Sequence, residues 1–175
     1  MPKNELFTIP NLLTLSRMGL IPAYISLYLR GMYFPAGCLL ALSCLTDLAD
    51  GWIARRFHMT SRLGEILDPL ADKATQLTLI LCLSMRYRIL RWVLTLFLIK
   101  EIFQLSAGLI CLRRGRPICG ALPAGKFCTA LLFVSFTVLV FFSNIPASVV
   151  RALAFLDAAA LCVSLISYTL TFLNK

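Results

Sequence analysis

Six apolar segments, each close to twenty residues long, account for most of this sequence. They cover approximately residues 11–29, 33–53, 65–85, 89–112, 122–142 and 147–173. A helix needs about 20 apolar residues to cross the hydrocarbon of a bilayer. Because the loops between the segments are short, consecutive helices are expected to be antiparallel. The pattern predicts an all-α integral membrane protein with six transmembrane helices.

Composition supports a membrane protein over a soluble one. Hydrophobic residues make up 59% of the chain, charged residues only 14%, and the mean hydropathy is +0.85. A chain of 175 residues is long enough for one domain, so residues 1–175 are expected to form a single membrane domain. The N-terminus has no secretory leader pattern. Its stretch KNELFTIP instead predicts a short amphipathic helix lying at the membrane interface.

The net charge of +9 does not indicate a nucleic-acid partner. The basic residues lie in short loops between apolar segments, where they set topology and contact anionic lipid. With a cytoplasmic N-terminus, eight basic residues lie on the inner side and five on the outer side. This bias favours a cytoplasmic N-terminus, although the arginines at 86, 88 and 91 favour the reverse. In the favoured orientation the window 47–72 opens to the cytoplasm.

That window, DLADGWIARRFHMTSRLGEILDPLAD, holds four of the chain's eight acidic residues as aspartates: Asp47, Asp50, Asp68 and Asp72. An ionised aspartate near the centre of a spanning helix costs about 2.5–3.5 kcal/mol on insertion scales. Four uncompensated ones would therefore cost on the order of 10 kcal/mol, comparable to the stability of a whole domain. The carboxylates must lie near the interface, face a wet cavity or be neutralised by bound cations.

The spacing of the aspartates favours bound cations. Asp50 is three positions after Asp47, and Asp72 is four positions after Asp68, so each pair lies on one face of its helix. A short turn at about 58–62 lets the two helices pack side by side, which brings four carboxylates together. Carboxylate oxygens suit hard cations such as Mg²⁺ or Mn²⁺. Four carboxylates can hold two ions about 3.5–4 Å apart, an arrangement that clamps phosphoryl groups.

Small residues beside the aspartates fit a phosphate-bearing ligand. Gly51 and Ala54 follow on the first helix, and Gly64 lies on the second. Glycine inside a helix costs roughly 1 kcal/mol, so its presence needs a reason, and close approach of a bulky group is one. Arg55 is placed to form a forked contact with a phosphate.

The whole string reads Asp47-x2-Asp50-Gly51-x2-Ala54-Arg55-x8-Gly64-x3-Asp68-x3-Asp72. It resembles the signature of the CDP-alcohol phosphotransferase family, with every position filled, and the resemblance extends over the chain because six transmembrane helices form that family's core. It implies transfer of a phosphatidyl group from CDP-diacylglycerol to an alcohol, with release of CMP. It also implies a homodimer in the plasma membrane of a bacterium.

Residue roles follow from the same resemblance. It implies that Asp47, Asp50, Asp68 and Asp72 bind two Mg²⁺ or Mn²⁺ ions, and that Asp72 is also the base for the acceptor hydroxyl. Four residues would line the nucleotide site: Gly51, Ala54, Arg55 and Gly64.

The sequence indicates the acceptor alcohol less clearly than it indicates the reaction. The opening IPNLLTLSR, with Asn11, Thr14 and Arg17, is similar to phosphatidylglycerophosphate synthases and to cardiolipin synthases. Glycerol-3-phosphate is a dianion, and the cations that would bind it are Lys100, Arg113, Arg114 and Lys126. Each of the two lysines alternatively has a structural role. Its ammonium group would then extend to the membrane surface or pair with an acid, as Lys100 would with Glu101.

Two departures from the family pattern weaken the glycerol-3-phosphate assignment. Phosphatidylglycerophosphate synthases usually have Arg-Glu where this chain has Lys100-Glu101, and a second lysine where it has Cys128. Phosphatidylglycerol or an inositol phosphate remains an alternative acceptor.

A cation-coupled transporter is the alternative from a different class, because intramembrane acids serve transport as well. Transporters spread their acids over several helices, whereas these lie on two consecutive ones. An aspartate-rich prenyltransferase would need a second acidic motif, and the later part of the chain has only Glu101 and Asp157. No role is predicted for Asp157.

Overall fold

The structure is a computed structural model that describes residues 9–57, 62–113, 123–142 and 144–173. Side chains are described for residues 14–46, 70–110, 123–142 and 144–172. The predicted interfacial helix at the N-terminus lies almost wholly outside the described residues.

The described chain is all-helical, as the hydropathy pattern predicts. Its six helices are α1 (Ile9–Leu29), α2 (Tyr33–Phe57), α3 (Arg62–Arg86), α4 (Leu90–Arg113), α5 (Pro123–Phe141) and α6 (Ala147–Leu173). Most bounds agree with the apolar segments to within two residues. The exceptions are the end of α2 and the start of α3, where the helices extend through Arg55, Arg56 and Arg62, because arginine propagates a helix well without being apolar.

Three helices are long and apolar enough to cross a membrane, judged on the described residues. These spans are Leu90–Ile110, Pro123–Phe141 and Ala147–Phe172. The protein is therefore an integral membrane protein. The aspartates of the signature lie in α2 and α3.

A tight helix cap joins α1 to α2. Gly31 has a φ of 76°, a left-handed conformation that glycine adopts without a steric penalty. Its N–H donates to the carbonyl of Tyr28, and the N–H of Met32 donates to the carbonyl of Leu27. This Schellman pair satisfies carbonyls at the end of α1 and reverses the chain within three residues.

The chain divides into two compact units. The first contains residues 1–82 and 140–143. In it α1 packs along α2, and the ring of Phe141 lies against Phe34 with ring centroids 6.1 Å apart. Gly37 leaves room for the same ring, since a Cβ there would lie 3.0 Å from it.

The second unit contains residues 83–139 and 144–175, and in it α4 packs along α6. One face of α6 is buried at a spacing of three and four residues: Val150, Ala154, Asp157, Leu161, Ser164 and Tyr168. The Gln104 amide donates to the Tyr168 hydroxyl over 3.5 Å. Gly125 allows α5 to begin beneath that tyrosine, because a Cβ would come within 2.8 Å of its hydroxyl oxygen.

Polar side chains line the buried face of α1. Thr14, Arg17, Tyr24 and Tyr28 are all at most 5% exposed, whereas the apolar Leu15 and Leu29 are at least half exposed. This distribution is the reverse of that in a soluble helix and fits a helix whose outer face meets lipid. It points to polar chemistry on the inner face of α1.

Substituting Gly31 tests the α1–α2 cap. We expect Gly31→Ala to lower the free energy of unfolding by about 1 kcal/mol, because a side chain disfavours the left-handed conformation. Gly19 is the matched control, since it lies inside α1 with no atom within 4 Å of an added Cβ. Gly19→Ala should raise the apparent Tm in detergent. Shifts in the same direction for both variants would contradict this account.

Candidate functional site

The helical backbone runs without a break through both halves of the aspartate signature. Asp47, Asp50, Gly51, Ala54 and Arg55 lie in α2. Gly64, Asp68 and Asp72 lie in α3. The helical backbone that this spacing argument requires is therefore present, and the shared face of each aspartate pair stays a prediction.

Of these eight signature residues, only Asp72 has a described side chain. Among the described side chains there is no cluster of three or more histidine, cysteine or acidic residues that could hold a metal ion. The convergence of the four carboxylates stays a prediction.

Asp72 is paired with an arginine from a different helix. The Arg17 Nη1 donates to Asp72 Oδ1 over 2.8 Å, and the two residues are 55 positions apart in the chain. The Arg17 side chain is 3% exposed, whereas that of Asp72 is 54% exposed. The buried guanidinium thus holds one oxygen of a half-exposed carboxylate through a charge-assisted hydrogen bond.

This pairing brings the N-terminal motif to the aspartate signature. Thr14 and Arg17 are three positions apart on the buried face of α1, and Thr14 is completely buried. Asn11 lies in α1, but its side chain is outside the described set. The sequence singled out Arg17 without assigning its partner. The available signal was the cost of an arginine inside an apolar helix, which requires an acid nearby.

A narrow pocket lies beside Arg17, between α1, α2 and α3. Its volume is about 20 Å³. Its lining combines aliphatic side chains with hydroxyl groups: Arg17, Leu20, Ile21, Tyr24, Leu39, Leu40, Ser43, Thr75, Thr78 and Leu79. The Thr75 hydroxyl donates to the carbonyl of Ala71 over 2.9 Å, which leaves its oxygen able to accept. Sequence reasoning did not identify this pocket.

The predicted acceptor-binding cations have different surroundings. Lys100 is 3% exposed in α4, and its Nζ donates to Glu101 Oε1 over 2.7 Å. This is the pairing that the sequence left open as a structural role for the lysine. Lys126 is exposed near the start of α5. The side chain of Arg113 and all of Arg114 lie outside the described parts of the chain, so acceptor binding by these residues stays a prediction.

Asp157 is completely buried on α6. It lies in the second unit, whereas Arg17 and Asp72 lie in the first. Nothing in the structure assigns it a role in the candidate site.

Removing either partner of the Arg17–Asp72 pair should have unequal effects on stability. Asp72→Ala leaves the buried guanidinium without this carboxylate, and we expect the free energy of unfolding to fall by about 1–2 kcal/mol. This loss is smaller than for a fully buried pair, because solvent reaches Asp72. Arg17→Met leaves a half-exposed carboxylate that water can solvate, so the loss should stay below about 1 kcal/mol. Thermal unfolding in detergent measures both. A larger loss for Arg17→Met than for Asp72→Ala would refute this asymmetry, and the double variant should be no less stable than Asp72→Ala.

Comparison with known proteins identifies the family of this chain. The CDP-alcohol phosphatidyltransferase family model matches residues 7–170. A cardiolipin synthase (CMP-forming) of Streptomyces coelicolor is 32% identical over 142 residues, which are 78% of this chain and 66% of that protein.

Two relatives carry the name CDP-diacylglycerol–glycerol-3-phosphate 3-phosphatidyltransferase. The one from Pectobacterium atrosepticum is 46% identical over 70 residues, 38% of each chain. The one from Blochmanniella floridana is 36% identical over 103 residues, 55% of this chain and 53% of that protein. This chain spans less than two thirds of the length of each of these three relatives.

The family match includes all four aspartates together with Arg17, and it favours a transferase over a transporter. The chain belongs to the CDP-alcohol phosphatidyltransferase family.

Proposed function

We propose that this protein transfers the phosphatidyl group of CDP-diacylglycerol to glycerol-3-phosphate, giving phosphatidylglycerophosphate and CMP. The observation that carries the proposal is the family match over residues 7–170, which contains the complete aspartate signature. Relatives named for this reaction, at 36% and 46% identity, support the choice of acceptor. The whole chain acts as one catalytic domain in this proposal, because the family match runs through both units.

Asp47, Asp50, Asp68 and Asp72 would hold two Mg²⁺ or Mn²⁺ ions. The donor set fits, because all four ligands are carboxylates on two helices, and hard divalent cations prefer oxygen. The family is generally dependent on divalent metal. Bound ions would screen the diphosphate and stabilise the negative charge of the leaving group.

The nucleotide would be bound by the remaining signature residues. Gly51, Ala54 and Gly64 are small enough for the cytidine to approach the helix backbones. Arg55 would pair with a phosphate oxygen.

Asp72 would act as the base. The acceptor hydroxyl oxygen attacks the phosphorus that bears the diacylglycerol, and Asp72 takes the hydroxyl proton. The bond from this phosphorus to the bridging oxygen breaks, and CMP leaves with the bonding electrons. Arg17, through its contact with Oδ1, holds the carboxylate in one orientation, which supports proton transfer by position.

A cardiolipin synthase is the second candidate, with phosphatidylglycerol as acceptor. The Streptomyces coelicolor relative bears that name and aligns with 78% of this chain. The pairing of Lys100 with Glu101 partly neutralises one cation that a dianionic acceptor would use. An inositol phosphate acceptor is the third possibility.

The proposed setting is the plasma membrane of a bacterium, with six spanning helices, a cytoplasmic N-terminus and the active site facing the cytoplasm. The excess of basic residues in the inner loops supports this orientation. The family resemblance supports assembly as a homodimer.

Release of CMP by purified protein in detergent tests the reaction. With CDP-diacylglycerol and Mg²⁺ or Mn²⁺, we expect release that depends on glycerol-3-phosphate. Removal of metal by EDTA should abolish release, and added metal should restore it. Asp72→Asn should lower the rate by about 100-fold or more, because the amide cannot accept the proton. Asp157→Asn is the matched control outside the signature and should keep most of the activity.

The identity of the acceptor that supports release decides among the candidates. Release only with phosphatidylglycerol would indicate a cardiolipin synthase, and release only with an inositol phosphate would indicate the third possibility. A folded, metal-loaded protein that is inactive with all three acceptors would overturn the proposal.

Lys126 gives a separate test of glycerol-3-phosphate as the acceptor. Loss of one charge-assisted contact to the phosphate should raise KM for this acceptor about tenfold with little change in kcat. Lys126→Met is compared with Arg151→Met, which removes an exposed cation from the start of α6, on the opposite side of the membrane in the proposed topology. An unchanged KM in Lys126→Met would remove this residue from the acceptor site.

A further inference from the structure

We propose that the second unit binds the headgroup of an anionic phospholipid at the end where α4 and α6 begin, through Arg88, Arg91 and Arg151. The ligand class is a membrane lipid with a net negative headgroup, recognised through its phosphate. None of the three arginines belongs to the aspartate signature or to the N-terminal motif. The proposal therefore concerns a separate surface and does not depend on the proposed reaction.

Two of the arginines lie close together in the turn between α3 and α4. The N–H of Arg91 donates to the carbonyl of Arg88 over 3.3 Å, and the N–H of Leu90 donates to the carbonyl of Tyr87 over 3.0 Å. These bonds fold residues 87–91 into a compact turn. Both arginine side chains are exposed, and neither forms a hydrogen bond or an ion pair with a residue that the structure describes. Two guanidinium groups are thus available side by side.

Arg151 lies at the same end of the second unit. Near the end of α6, Tyr168 accepts a hydrogen bond from Gln104 in the later half of α4 and lies beside Gly125 at the start of α5. Because α4 packs along α6 and their later halves meet, the two helices run in the same direction and begin at the same end. Arg151 is exposed in the second turn of α6 and has no hydrogen bond or ion pair within the described chain.

No acidic residue balances the charge at this end. The second unit contains only two acids, Glu101 and Asp157. Glu101 accepts a hydrogen bond from Lys100 over 2.7 Å, and Asp157 is completely buried. Membrane orientation does not account for the charge either, because the arginines of the α3–α4 turn favour the reverse of the orientation that the other loops favour. An anion from outside the chain is therefore needed to balance it.

The position of the arginines along the helices identifies this anion as a lipid headgroup. The candidate spans of α4 and α6 begin at Leu90 and Ala147, so each arginine lies within about one helical turn of the start of a span. Long cationic side chains at such positions extend to the membrane surface, where the lipid phosphates lie. Trp92 is 76% exposed next to Arg91, as is typical of a tryptophan at the membrane interface. A guanidinium can bind a phosphate through two parallel N–H groups.

Quenching of Trp92 fluorescence by brominated lipids measures which lipid lies beside this surface. The chain has two tryptophans, so Trp52→Phe leaves Trp92 as the only one. This protein is reconstituted in bilayers of phosphatidylcholine and phosphatidylserine in varied ratio, with brominated chains on one lipid at a time. Phosphatidylserine is the probe because it is anionic and is neither a substrate nor a product of the proposed reaction.

We expect phosphatidylserine to bind beside Trp92 about fivefold or more in preference to phosphatidylcholine. One arginine near an anionic membrane surface contributes about fivefold to binding, and this surface has three. Equal binding of the two lipids would overturn the inference.

Substitution of the arginines tests whether they cause the preference. Arg88→Gln should lower it several-fold, and Arg88→Gln/Arg91→Gln/Arg151→Gln should bring it to within about twofold of unity. Lys126→Gln is the matched control, because it removes an exposed cation of the same unit at the opposite end, about 25 Å along α6 from Arg151. It should keep the full preference. A preference that survives in the triple variant, or that falls equally in Lys126→Gln and Arg88→Gln, would contradict the inference.

Salt dependence provides a readout that does not require the glutamine variants to fold. Raising the ionic strength from about 0.01 M to about 1 M shortens the Debye length from about 30 Å to about 3 Å. The preference for phosphatidylserine should then fall toward unity, and a preference insensitive to salt would refute a charge-based site. None of these measurements needs turnover, so an inactive protein that prefers phosphatidylserine would refute the proposed function alone. An active protein without the preference would refute this inference alone.

Discussion

A buried cation needs a partner, and in the first unit this need brings one face of α1 to α3. Arg17 lies on a face of α1 from which solvent is excluded. Its guanidinium forms an ion pair over 2.8 Å with the carboxylate of Asp72 on α3. In the second unit the buried Lys100 forms an ion pair with Glu101, the next residue in the chain. Leaving such a charge unpaired would destabilise the fold. The first of these pairs joins separate helices, whereas the second joins neighbours on one helix.

Three helices qualify as candidate membrane spans on their described residues. The helices α4, α5 and α6 are those apolar enough, on the described residues, to cross a membrane by composition alone. The helices α1, α2 and α3 carry the N-terminal motif and the aspartate signature. Packing of α1 on α2 and the ion pair from α1 to α3 bring the polar residues of the first unit together.

The buried polar face of α1 extends the proposed site beyond the signature. In the proposed reaction Asp72 takes a proton, and Arg17 orients Asp72. The Asp72 side chain is 54% exposed, whereas that of Arg17, which lies further from the reacting atoms, is 3% exposed. A half-exposed base on a buried support is able to reach an incoming alcohol while keeping a defined orientation.

The six helices and the aspartate signature were predictable from the sequence, because both depend on local properties. Hydropathy marks a spanning segment, and backbone hydrogen bonds close within it, so α1 was predicted at 11–29 and found at Ile9–Leu29. Helical spacing likewise predicts that Asp68 and Asp72 lie on one face. The Arg17–Asp72 pair and the pocket beside Arg17 were decided only by tertiary structure. They depend on side-chain direction and on which faces of separate helices meet, and no local pattern encodes a contact between residues 55 positions apart.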